Sequence, residues 1–144
     1  MKLDRFTVTV DPTRYHRWPN GGGFQPAEIA VNGLPLIDLV APFEKDHVAK
    51  ENEQTGGELR AGGYHYPAVT WIDRLRRPSR EAIVLGCTCG VSECWAIVVD
   101  IKRDDRTIRW SNVRHNHRRT WRYDVGPFVF DRDLYDAEIV RVMR

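Results

Sequence analysis

Three cysteines stand within the eight residues Cys87-Thr-Cys-Gly-Val-Ser-Glu-Cys94, just before Trp95, and the chain has no others. Cysteine thiolate and histidine imidazole are the ligands that Zn²⁺ prefers in a tetrahedral site. Sulfurs this close in sequence could share one ion. The same residues could also serve as small apolar side chains at a turn, or as redox thiols. The spacing leaves all three readings open. Cys87 and Cys89 form a Cys-x-Cys pair, tighter than the Cys-x₂-Cys knuckle of common zinc ribbons, and no second pair follows.

Such a site needs elements that position it. Ala82 to Leu85, Trp95 to Ile101 and Thr107 to Val113 read as three strands on short loops, which favours an antiparallel meander. Placing Asp104-Asp105 at the second turn sets Ile101 opposite Ile108 and Val99 opposite Trp110, with Asp100 facing Arg109. The same register sets Cys94 opposite His115. The expected metal set is therefore Cys87, Cys89, Cys94 and His115, with His117 as the substitute ligand and zinc as the cofactor. A structural role is expected, because the His-Glu-x-x-His pattern of a catalytic zinc is absent. Redox use would need cations beside a thiol; Arg114, Arg118 and Arg119 could supply them, while Glu93 opposes the effect.

Arg114 to Tyr123 is the most basic stretch, and its arginines with Trp121 and Tyr123 could clasp phosphate and stack bases. A solvated loop with Trp121 covering the sheet is the simpler reading, since the net charge is only +2. His16, His47 and His65 receive no role. No nucleophile elbow, dinucleotide glycine fingerprint or paired-carboxylate site is present, so no catalytic residue is assigned.

The rest of the chain frames these segments. Its 144 residues suit a single domain spanning 1–144, with 42% apolar and 29% charged residues as in ordinary globular proteins. An odd cysteine count excludes a fully paired secreted framework. Asp4 and Arg5 stand where a signal peptide needs an apolar run, and no stretch approaches the ~20 apolar residues of a membrane span. A cytoplasmic location is expected.

Leu3 to Val10 reads as a strand and Arg14 to Pro26 as an irregular, flexible connection. Glu28 to Val31 and Leu34 to Ile37 form a hairpin about Asn32-Gly33, with Pro35 placing the second arm at an edge. Ile37 to Asn52 is helical, with an interruption or a fresh start at Pro42. Gly56 to Tyr66 is a loop, and Val69 to Leu75 is ordered without an assignable type. Trp121 to Phe130 gives a further strand bent at Gly126-Pro127. Asp131 caps a terminal helix with a Tyr135, Ile139, Val142 stripe. The fold class is α+β: an antiparallel meander sheet with a C-terminal helix packed on it.

Cys87-Thr-Cys89-Gly90…Cys94-Trp95, Trp110-Ser111 and Gly126-Pro-Phe-Val-Phe-Asp-Arg132…Tyr135 together resemble a group of small bacterial proteins of unknown function. The resemblance covers roughly residues 82 to 140. It implies a bacterial, cytoplasmic, stand-alone protein and no particular activity. The function expected from the sequence is a non-enzymatic binding or interaction module, with a structural zinc site if the cysteines bind metal rather than serve as free structural thiols. A thiol- or metal-dependent enzyme, or a nucleic-acid binder using Arg114 to Tyr123, is the alternative. A protein partner is compatible with a small antiparallel sheet, and nothing names one.

Overall fold

The computed structural model describes residues 2–89 and 94–144; Gly90 and Glu93, both singled out above, lie outside the described residues. Strand β1 (Phe6–Thr9) turns Phe6 and Val8 inward. It is shorter than the alternation suggested. The segment expected to be an irregular connection instead holds a small ribbon, β2 (His16–Arg17) against β3 (Gly23–Phe24). Its glycines make a turn rather than a flexible link: Gly21 and Gly22 sit at φ +97° and +72°, and Trp18 N–H donates to the Gly22 carbonyl at 3.1 Å.

Strand β4 (Glu28–Val31) pairs with β1 on one side and with β5 (Leu34–Pro35) on the other. Asn32 and Gly33 take φ values of 53° and 81°, the left-handed pair that a type I′ hairpin requires. Pro35 lies on the edge strand of this three-stranded sheet, where its missing N–H costs nothing. The second arm ends there, because helix α1 (Leu36–Thr55) begins at once. It runs unbroken through Pro42, contrary to the expected interruption. The reason is tertiary: Leu36, Val40, Glu44 and Val48 repeat every four residues and are all buried. That burial outweighs the one hydrogen bond proline forgoes with the Asp38 carbonyl.

The second half forms a five-stranded antiparallel sheet. Strands β6 (Tyr64–His65), β7 (Ser79–Cys87), β8 (Ile97–Arg103), β9 (Thr107–His115) and β10 (Phe128–Asp131) lie in the order β10-β9-β8-β7-β6. Strand β6 emerges from the segment expected to be all loop. The stretch of unassigned type contributes a 3₁₀ turn, Ile72–Arg76. Only Phe128 onward pairs in the strand expected from Trp121, and a cis Gly126–Pro127 peptide precedes it.

The β8–β9 register differs from expectation by two residues. Ile101 faces Trp110, Arg103 faces Ile108, and Asp100 faces Ser111. The cause is Asp104, whose carboxylate accepts from the N–H groups of Arg106 and Thr107 at 2.8 and 2.7 Å and so starts the turn itself. Further along, Asn112 takes φ 55° in a bulge, beyond which Val98 faces Arg114 and Ile97 faces His115. Cys94 therefore does not stand across from His115. Asp100 pairs with Arg114 at 3.1 Å rather than with Arg109.

Helix α2 (Arg132–Val142) packs against β1, β9 and β10. Tyr135 and Ile139 are buried beside Phe6, Trp110 and Phe130, whose rings meet mostly edge to face. Trp110 Nε1–H donates to the Tyr135 hydroxyl at 3.1 Å, which in turn donates to the Leu75 carbonyl at 2.6 Å. At the helix start Asp131 accepts from Leu134 N–H at 2.9 Å. Asp131→Ala is expected to lower the unfolding free energy by about 1 kcal/mol, read from urea denaturation.

The same helix reaches the free edge of β1. Glu138 accepts from Val8 N–H and Arg141 donates to the Val8 carbonyl, both at 2.8 Å, and the two side chains pair with each other. Asp4 bridges onward to β10, donating to the Val129 carbonyl and accepting from Val129 N–H. The two larger sheets are joined there. Among the described residues no helix is long and apolar enough to cross a membrane.

Candidate metal centre

Cys87 is the last residue of β7 and pairs with Tyr64 of β6. Cys89 follows in the turn, and Cys94 returns just before Trp95. The three sulfurs all lie within 4.8 Å of one another. Zn–S bonds near 2.3 Å in a tetrahedron put sulfurs about 3.8 Å apart, so the cluster needs little closure to hold an ion. None of the three is in a disulfide; Cys87 is half-buried, while Cys89 and Cys94 are exposed. Cys89 N–H donates to Cys87 Sγ at 3.5 Å, the kind of contact that supports a thiolate. Burial, with Cys89 and Cys94 close by, pushes the Cys87 thiol up to about 11. Catalytic and redox thiols are tuned the opposite way.

His115 does not belong to this sulfur group. Its ring is fully buried, edge-on to Trp95 with centroids 4.4 Å apart. Nδ1 accepts from the N–H groups of His117 and Arg118 at 3.0 and 3.2 Å, so the proton of the neutral ring resides on Nε2, which has no hydrogen-bond partner. Burial first, then Arg118 and His117, push its pKa down to about 4, against a weak upward pull from Glu51. His117 itself is exposed.

One residue the sequence reading passed over braces the whole region. Glu44 of α1 is 1% exposed, yet it is a carboxylic acid in the middle of the chain's longest helix. It accepts hydrogen bonds from the Tyr64 hydroxyl, from the Tyr123 hydroxyl at 3.1 Å and from Gly62 N–H at 2.6 Å. Three donors on two oxygens satisfy a buried carboxylate. Burial and Glu44 together push both tyrosine hydroxyls far above the ordinary range, so both stay protonated. Thr88 N–H then donates to the Gly63 carbonyl at 3.2 Å, which carries the brace into the cysteine turn. The signal was present in sequence: Glu44 interrupts an otherwise apolar series at spacing four.

The basic segment is drawn inward. Trp121 and Tyr123 are buried, and Trp121 stacks on His47 at 5.1 Å. Arg118 pairs with Glu51 at 3.1 Å and covers Trp95 at 4.6 Å. Arg114 is held by Asp100 and by the Arg80 carbonyl. The two rings expected to stack bases are thus turned into the core, and Arg119 and Arg122 remain exposed.

The chain matches no protein-family model, no curated protein and no solved structure.

Proposed function

We propose that this chain is a small binding module without catalytic activity, in which a zinc ion held by Cys87, Cys89 and Cys94 fixes the turn between β7 and β8. The observation that carries the reading is the gathering of three sulfurs within 4.8 Å of one another. Soft thiolates at that spacing suit Zn²⁺ above the harder divalent ions. The N–H···S bond at Cys87 and the Glu44 brace support it, since both hold ligand-bearing backbone in place. A reducing compartment such as the cytoplasm would keep the three residues as thiols available to the metal. A closed structural site needs a fourth ligand. For His115 that ligand atom would be Nε2, and a metal there would displace its proton.

The test is elemental mass spectrometry on untagged protein purified without chelator, beside a thiol titration. We expect about one zinc per chain, thiols that alkylate slowly until a chelator is added, and loss of both metal and thermal stability in Cys94→Ser. His115→Gln then reports the fourth position: zinc content falling as in Cys94→Ser makes His115 a ligand, and unchanged content leaves the sulfurs sufficient. Metal-free protein with three freely titrating thiols would overturn the proposal.

A further inference from the structure

Away from the cysteine turn, the molecule has a recess of about 380 Å³ walled by Trp18, Phe24, His65, Pro67, Trp71 and Ile83. In a chain that is 29% charged, no Asp, Glu, Lys or Arg lines it. By contrast, a broader groove of about 780 Å³ is lined by Arg80, Asp100, Lys102 and Arg114. The volume falls within the range of small-molecule sites, and aromatic walls with few polar groups are their usual lining.

The walls hold one another in position. His16, Trp18, Phe24 and His65 form one ring cluster, with centroids 4.9–5.2 Å apart. Main-chain bonds from Ala27 to Pro67 and from Val69 to Gln25, at 2.8 and 3.0 Å, lock the two sides together. Gly23 sits so close to the His16 carbonyl that any side chain there would collide with it. At the rim Trp71 is 52% exposed, a large apolar surface left in water, and the Arg74 guanidinium lies over it at 3.9 Å. Rings held in position lose little entropy when something inserts between them.

The chemistry of the recess defines its ligand. A charged group inserted between these walls would shed hydration with no counter-charge among them; the Arg74 guanidinium stays outside, over Trp71 at the rim. A flat ring can lie against indole and phenyl faces or edges. Polar groups are sparse: the Thr70 residue, and His65, whose Nδ1 is committed to the Tyr66 carbonyl at 2.8 Å while Nε2 has no hydrogen-bond partner.

We propose that this recess is a binding site for a small, uncharged, planar aromatic or heteroaromatic molecule. It does not rest on the zinc reading, because none of the three cysteines lines the recess.

Indole is the probe, titrated into full-length ¹⁵N-labelled protein while the indole N–H resonances of Trp18 and Trp71 are followed. Saturable shifts at both, with Kd at or below about 1 mM, are expected. Tryptamine, of similar shape but cationic, should bind at least about tenfold more weakly, because its ammonium meets no carboxylate in the lining and faces the Arg74 guanidinium at the rim. Trp71→Ala should weaken indole by about tenfold and keep its fold, since half of that ring is exposed. Ile83→Trp, which fills the recess, should abolish the shifts. Each titration is repeated with chelator, so that loss of metal and loss of ligand binding are read separately. Absence of saturable shifts at Trp18 and Trp71, equal affinity in Ile83→Trp, or equal affinity for the cation would overturn the proposal. The first of these outcomes would reassign the recess to the side chain of a protein partner or to solvent.

Discussion

Glu44→Ala is expected to remove about 4 kcal/mol of unfolding free energy, measured by urea denaturation followed by tryptophan fluorescence. The loss has two parts. The Tyr64 and Tyr123 hydroxyls and Gly62 N–H would be left as buried donors without an acceptor. Leaving such groups unsatisfied costs about 1–3 kcal/mol each, reduced to the extent that water enters the space vacated. Removal of the side chain's methylenes from the α1 stripe adds a smaller cavity term. Glu44→Gln keeps one acceptor oxygen but turns an amide N–H₂ toward donors, so it should fall near halfway. Because Tyr64 pairs with Cys87, the variant should also alkylate faster at Cys87. A cost below about 1 kcal/mol in Glu44→Ala would show that the tyrosines find other partners.

Stability should fall by about 3 kcal/mol as the pH is lowered from 7 to 4 in metal-free protein, with His115 as the main contributor over that interval. The sign follows from the shift. In the unfolded chain histidine takes up its proton near 6.5, whereas in the fold His115 stays neutral down to about 4. Between these values only the unfolded state binds the proton, so acid pulls the equilibrium toward it. Above about pH 7 the contribution is fully present and flat. His65, held low by burial, adds in the same direction. Imidazole titration by NMR, beside urea midpoints from pH 4 to 8, checks both halves. A His115 resonance titrating near its ordinary value would remove this explanation.

Much of the architecture was legible because it is written locally. Asn32-Gly33 can hardly be anything but a tight hairpin, and Asp131 before an apolar stripe marks a helix start. Alternation in Ile97 to Val113 gives the meander order. The misses come from turn chemistry, a bulge and tertiary burial, none of which the apolar periodicity records. Asp104 closes its turn with its carboxylate and shifts the register by two residues, and Asn112 adds the bulge that puts Ile97, not Cys94, opposite His115. Pro42 reads as a break until its helix is seen buried along Leu36, Val40, Glu44 and Val48. At the site, the cysteine trio was visible from spacing alone. The recess was not, because its walls come from segments around residues 18–24, 65–71 and 83–86 that share no periodicity.

The pair Glu138 and Arg141 has a consequence for how copies of this chain behave in crowded solution. Strand β1 ends its sheet, and an end strand offers unpaired amide and carbonyl groups to any extended chain that drifts past. Here helix α2 occupies both groups of Val8 with side chains of opposite charge, while Asp4 commits the backbone just upstream to β10. The fold thereby denies its neighbours a template: a second molecule would have to displace an ion pair and a packed helix before it could add a strand there.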